Sequence, residues 1–128
     1  MSAATFASVR IRIGEQSLDA TLADTPTVRD FVSLLPLELE MEDYAATEKI
    51  GYLPRKLDTS SAPAGTKPRK GDLSYYAPWG NVALFYRDFD YSPGLVKLGT
   101  IDTESDVIRQ LSAGRVTVER IADRQNEL

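Results

Sequence analysis

The usual tools of enzyme chemistry are missing from this chain. It contains no histidine and no cysteine. That removes imidazole bases, thiol nucleophiles, disulfides and Cys/His zinc sites, and it excludes a Ser-His-Asp triad within one subunit. Neither GxGxxG nor GxxxxGKS/T occurs, so there is no glycine-rich phosphate loop. Carboxylates, guanidiniums and aromatic rings remain. Glu48, followed by Lys49, and Asp72 form a carboxylate pair that can serve acid–base chemistry if folding brings them together. Solvated or turn-capping acids are the plainer account of both. Arg87, Asp88 and Asp90 follow an apolar run, where a guanidinium at the mouth of a strand can grip a carboxylate or peptide carbonyl. Their plainer account is a surface ion pair.

The densest signal is aromatic. Seven of the eleven aromatic residues fall between Gly71 and Gly94: Tyr75, Tyr76, Trp79, Phe85, Tyr86, Phe89 and Tyr91. Not all can point into a small core, and a ring-lined groove suits extended or proline-rich peptides and flat small molecules. The competing account has half of them in the core and the rest packed beneath loops. Trp79 stands out because a Pro78-Trp79-Gly80 turn displays a side chain that a strand would bury. The expected ligand site is a pocket walled by Tyr76, Trp79, Phe85 and Tyr86, with Arg87 as its polar anchor. Asn81 fits the same turn, its side chain bonding local backbone.

Short amphipathic elements must position these residues. Residues 5–13 alternate, with Val9, Ile11 and Ile13 on one face and Arg10 and Arg12 on the other. Gly14-Glu15 reads as a turn, and 17–22 alternates again, predicting an N-terminal hairpin. Asp24-Thr25-Pro26 opens a helix through Val28, Phe31, Val32 and Leu35, which Pro36 stops. Leu37 to Glu42 predicts a strand with one glutamate-rich face, read as solvated and guarding a sheet edge. Ile50 to Leu53 is a short strand, with Gly51 marking a bulge or a close backbone approach. Arg55 to Lys70 holds five basic residues, Pro63, Gly65 and Pro68, and reads as a long surface loop.

Further on, 72–76 and 82–86 are strands about the turn 77–81. Val82 to Tyr86 has no polar face, as in a strand buried on both sides or lining a cavity with one. An aromatic loop covers 88–94, and a short strand or pair covers 96–101. Thr103 to Ala113 has the caps and apolar stripe of a second helix. Arg115 to Ile121 is a final strand, and the polar tail frays. About eight short strands and two helices favour a barrel or sandwich.

Composition agrees with one soluble globular domain: 128 residues, 42% hydrophobic and 27% charged. Such a chain buries roughly two thirds of its unfolded surface. Nineteen acids against fifteen bases give a net charge of −4, which disfavours nucleic acid as a partner. Residues 1–14 lack the apolar run of a signal peptide, and no stretch is long enough to span a membrane, so the expected location is cytoplasmic.

The runs EKIGYLPRKL (48–57), GDLSYYAPWGNVALFY (71–86) and YSPGLVKLGTID (91–102) resemble the bacterial cyclophilin-like protein family, over residues 8 to 121. The resemblance implies a mainly β fold, a closed barrel of about eight strands with a helix over each open end. True cyclophilins are prolyl isomerases that set a catalytic arginine among phenylalanine, histidine and tryptophan. No comparable run exists here, and Arg55, after Pro54, sits in a different context, so that role is not carried over. Fold alone does not bring function. The sequence therefore predicts a non-catalytic module that binds a small molecule or short peptide, with no cofactor or metal. The alternative is a divergent enzyme, either a weak prolyl isomerase or a lyase or hydrolase using carboxylates and arginine.

Overall fold

A computed structural model of the chain describes residues 5–44, 47–102 and 114–121. Strands β1 (Thr5–Ile13) and β2 (Gln16–Ala23) form the expected hairpin. Helix α1 (Pro26–Val32) follows, and then β3 (Leu37–Tyr44), β4 (Glu48–Tyr52), β5 (Gly65–Thr66) and β6 (Asp72–Tyr76). The chain continues through β7 (Asn81–Phe85), β8 (Ser92–Pro93), β9 (Leu95–Ile101) and β10 (Gly114–Ile121). Eight of the strands close an antiparallel barrel in the order β1-β10-β3-β4-β7-β6-β9-β2, and β5 and β8 pair as a small ribbon outside it. Residues 96–101 belong to one strand rather than two. The second expected helix, 103–113, and the tail after 121 lie outside the described residues. No helix among the described residues is long and apolar enough to cross a membrane.

Period-two alternation builds the interior. Val9 and Ile11 of β1, Leu18 and Leu22 of β2, Leu39 and Met41 of β3, and Val116 and Val118 of β10 share one buried cluster with Leu73, Tyr75, Val82 and Leu84. The opposite face of the early strands is ionic, with Arg10 donating to Asp19 at 2.7 and 3.0 Å across the hairpin. Glu38, Glu40 and Glu42 are exposed as expected, and Arg115 of β10 lies 3.8 Å from Glu38 and 3.4 Å from Glu40. Their strand is not an edge, however. β3 pairs with β10 on one side and β4 on the other, because closure removes edges from the barrel.

Helix α1 begins as its residues dictate. Thr25 accepts from Val28 N–H at 3.2 Å, and Pro26 occupies the first helical position. The helix ends at Val32, a turn earlier than the apolar spacing through Leu35 suggests. Val28 and Phe31 are buried and join the barrel cluster, so α1 seals one end. Side chains fill the lumen, and the void among Ile11, Phe31, Leu39, Leu73 and Val116 is about 10 Å³, room for about one water. Any ligand has to sit elsewhere.

The barrel's outer face is partly apolar. On β4, β7 and β9, Ile50, Ala83, Phe85 and Leu95 form a second buried cluster, with Tyr76 of β6 packed against it. β7 is therefore buried on both sides, Val82 and Leu84 inward, Ala83 and Phe85 outward. Gly51 is the close approach that its type suggests, since a Cβ there would stand 2.5 Å from Met41 Sδ and 3.2 Å from Glu40 O.

Two long segments are tied down by hydrogen bonds. Arg55–Lys70 is strapped to α1. Arg55 donates to both oxygens of Asp30 at 2.7 and 3.0 Å, Asp58 N–H donates to Asp30 Oδ2, and Thr27 Oγ1 donates to Asp58 O. Leu57 N–H donates to the buried Tyr75 hydroxyl at 3.0 Å. The segment after β7 is tied back by Phe89 N–H to Pro68 O, Gly94 N–H to Ala64 O, and Lys70 N–H to Asp88 Oδ1.

Candidate functional site: an aromatic cleft on the outer sheet face

An open cleft of about 190 Å³ lies where β3, β4, β7 and the β6–β7 turn meet the segment after β7. Cross-strand register assembles it. Tyr44 on β3 pairs with Glu48 on β4, and Glu48 pairs with Phe85 on β7, so these three side chains form one row on the outer face. Tyr76 on β6 pairs with Leu95 on β9 and supplies the other side. Phe85 and Leu95 are buried and form the floor, while Tyr44, Tyr76, Trp79 and Phe89 are the walls and Ser92 lies at the rim. Trp79 stands nearly perpendicular to two tyrosines. Its ring lies 5.3 Å from Tyr44 at 83° and 5.4 Å from Tyr76 at 76°, both edge-to-face.

The turn that carries Trp79 is held firmly. Gly80 N–H donates to Tyr76 O at 2.9 Å, Leu53 N–H to Gly80 O at 3.0 Å, and Ala77 N–H to Gly94 O at 2.9 Å. Gly94 has φ of 80°, and a Cβ there would stand 2.8 Å from Pro78 Cδ. A side chain at 94 would both strain the backbone and lift the turn.

Among the described residues, Glu48 is the one charged residue in the lining. Burial pushes its carboxyl up to about 7, and it has no hydrogen-bond or ion-pair partner among the described residues. Lys49, next in sequence, turns inward and meets Asp43 at 3.0 Å. Asp72 does not join Glu48. The registers Glu48↔Phe85 and Leu73↔Leu84 put the two carboxylates on either side of Phe85, two strand spacings or roughly 10 Å apart. Asp72 is committed to Lys97 at 3.3 Å and caps a turn by accepting from Arg69 N–H at 3.0 Å.

Of the expected site residues, Tyr76, Trp79 and Phe85 line the cleft, whereas Tyr86 and Arg87 do not. Alternation is the reason for Tyr86. With Phe85 pointing outward, Tyr86 points inward, is buried, and donates its hydroxyl to Asp43 Oδ1 at 3.1 Å. Arg87 follows the strand into solvent, where it is exposed and makes no ion pair among the described residues with Asp88 or Asp90. Tyr44 and Phe89 join the wall beyond the residues expected there, and Glu48 lines the cleft by itself rather than as a partner of Asp72. The available signal was parity, which puts Glu48, Ile50, Ala83 and Phe85 on one face.

A second cleft of about 290 Å³ lies between the start of α1, loop residues 61–66 and β9. Its charged residues are already paired, Asp24 with Arg29 at 2.8 Å and Lys97 with Asp72.

Comparison with known proteins agrees with this architecture. A model of the cyclophilin-like family matches residues 11–120, and the chain belongs to that family. Among solved structures, the hypothetical protein AF2241 from Archaeoglobus fulgidus, determined in solution, superposes with a TM-score of 0.65. It is 16% identical, with 90% of this chain and 95% of that one covered, and so shares the fold. No curated protein matches the chain.

Proposed function

We infer that the protein is a non-catalytic binding module that holds a small molecule or short peptide in the aromatic cleft, acting in the cytoplasm and without nucleic-acid partners. One observation carries this reading. Three of the exposed rings, Tyr44, Trp79 and Phe89 at 43%, 43% and 46%, are gathered around a single cleft, whereas the exposed Tyr52 and Tyr91 lie outside it. Clustered exposed rings on a concave surface mark a binding site. The test is an amide-resolved NMR screen with a neutral and charged fragment set plus a short proline peptide. Shifts are expected at Tyr44, Glu48, Tyr76, Trp79 and Phe89, and they should vanish in Trp79→Ala. Hits confined to the cleft beside α1 would refute the assignment.

A second reading has an observation in its favour. A carboxyl held near 7 inside a cleft is suited to general acid–base work. The arginine that an enzyme of this kind would use lacks comparable support. Arg87 lies off the cleft, and Arg55 is clamped by Asp30. Faster cis–trans exchange of the proline peptide, lost in Glu48→Gln, would replace the binding module with an isomerase.

A further inference from the structure

The charge of the aromatic cleft points to its occupant. Among the described residues, every ionisable group on its walls is acidic or phenolic, namely Glu48 from β4, Tyr44 from β3 and Tyr76 from β6. The β6–β7 turn, β7, the following segment and β9 contribute only Trp79, Phe85, Phe89, Ser92 and Leu95. Among the described residues no cation lines the cleft, and Lys49 is turned away and held by Asp43. Aromatic faces carry negative quadrupole density, and Tyr44, Tyr76 and Trp79 line the cleft, with Trp79 at a steep angle to each tyrosine. A carboxylate with no partner among the described residues, set among such rings, repels anions and attracts positive charge.

Size narrows the choice. At about 190 Å³ the cleft is smaller than the roughly 300–1,000 Å³ of pockets for drug-sized ligands, and it admits a head-group rather than an extended peptide. We propose that the cleft binds a small organic ammonium, an alkylated amine or quaternary head-group, with Trp79, Tyr44 and Tyr76 against the cation and Glu48 as its countercharge. This rests on the cleft being the binding site. It also accounts for an otherwise costly feature, since a half-buried carboxylate without a partner is unfavourable until a cation joins it. The raised protonation range of Glu48 is that cost made visible, and a bound cation lowers it.

Trp79 is the only tryptophan, so its fluorescence reports the site in the unmodified chain. Choline and tetramethylammonium are titrated against 3,3-dimethylbutan-1-ol, the neutral isostere of choline. Saturable binding of both cations is expected at about pH 8, with the alcohol about tenfold weaker. Choline affinity should fall about tenfold by about pH 5.5, as Glu48 takes up its proton. Glu48→Gln should weaken choline about tenfold at pH 8 and abolish the pH dependence. That variant removes a charge rather than a packing group, and its fold is to be checked by amide spectra.

Equal binding of the alcohol, or choline binding indifferent to Glu48→Gln, overturns the ammonium assignment and leaves the aromatic binding module standing. So does silence with both cations while other fragments shift the cleft amides. A trimethyl-lysine peptide that binds over tenfold tighter than choline overturns the small-molecule source. If no compound perturbs the cleft, both this assignment and the binding module fail.

Discussion

The two clefts of this barrel differ in the reverse order of their sizes. The larger, about 290 Å³ beside α1, is lined by a carboxylate and an ammonium that each already have a partner. The smaller, about 190 Å³ on the outer sheet face, holds exposed rings and a carboxylate with no partner among the described residues. Volume arises wherever a loop crosses a sheet imperfectly. Unsatisfied chemistry is harder to come by, because burying a charge without a partner costs stability that folding could have kept. The difference teaches that a site is better recognised by what the fold leaves unpaired than by the space it leaves empty.

The contrast breaks first if the aromatic cleft is only surface decoration. Phe85 is its floor and is 2% exposed. Phe85→Ala should therefore cost about 3–5 kcal/mol in urea unfolding, the usual penalty for deleting a buried ring. It should also remove any ligand response of Trp79. A loss under about 1 kcal/mol would mean that the outer cluster is not packed as described.

Glu48→Gln sharpens the comparison with a smaller effect. The carboxyl titrates near 7 in the fold against 4.5 unfolded. The native state therefore binds more protons between those values, and stability falls as pH rises through that window. Below about pH 4.5 both states hold the proton, and Glu48→Gln should match wild type. Above about pH 7 the variant should be more stable, by about 1–2 kcal/mol once partial solvent exposure of the carboxyl is allowed for. Thermal melts across pH 4 to 8.5 read the difference. A constant offset would show that Glu48 is solvated.

How much of this was legible in the sequence depends on how many faces each strand buries. Residues 5–13, 17–22 and 37–42 alternate because one face meets the core and the other water, and their strands fell where the pattern put them. The Thr25 cap and Pro26 were equally readable, since they answer to local backbone chemistry. Barrel closure was not readable from the residues, because the pairing of β1 with β10 joins the ends of the chain through contacts that leave no local trace. It came from family resemblance. The lining of the cleft was harder to read where a strand shows no polar face. Val82 to Tyr86 is apolar throughout, so alternation says that Phe85 and Tyr86 face opposite ways but nothing in the run says which of them faces outward. Glu48 was noticed for its charge, but its place beside Tyr44 and Phe85 depends on a register between three strands.

The smallest expected effect is the most discriminating, because a protein of net charge −4 gains something from losing almost any acid. Asp24→Asn supplies the control. It neutralises a carboxylate that lines the larger cleft, as Glu48→Gln does in the smaller. Asp24, however, accepts from Arg29 Nε at 2.8 Å and lies just ahead of the Thr25 cap, so the change removes an exposed ion pair and a favourable charge at the start of α1. Both losses are small, and together they should destabilise by about 0.5 kcal/mol, shrinking further in high salt. The signs of the two substitutions should therefore be opposite at pH 8. If Asp24→Asn stabilises as much as Glu48→Gln, relief of general repulsion explains both, and the unpaired carboxylate no longer distinguishes the aromatic cleft. Opposite signs confine the strain to Glu48, the carboxylate set among the rings of the smaller cleft.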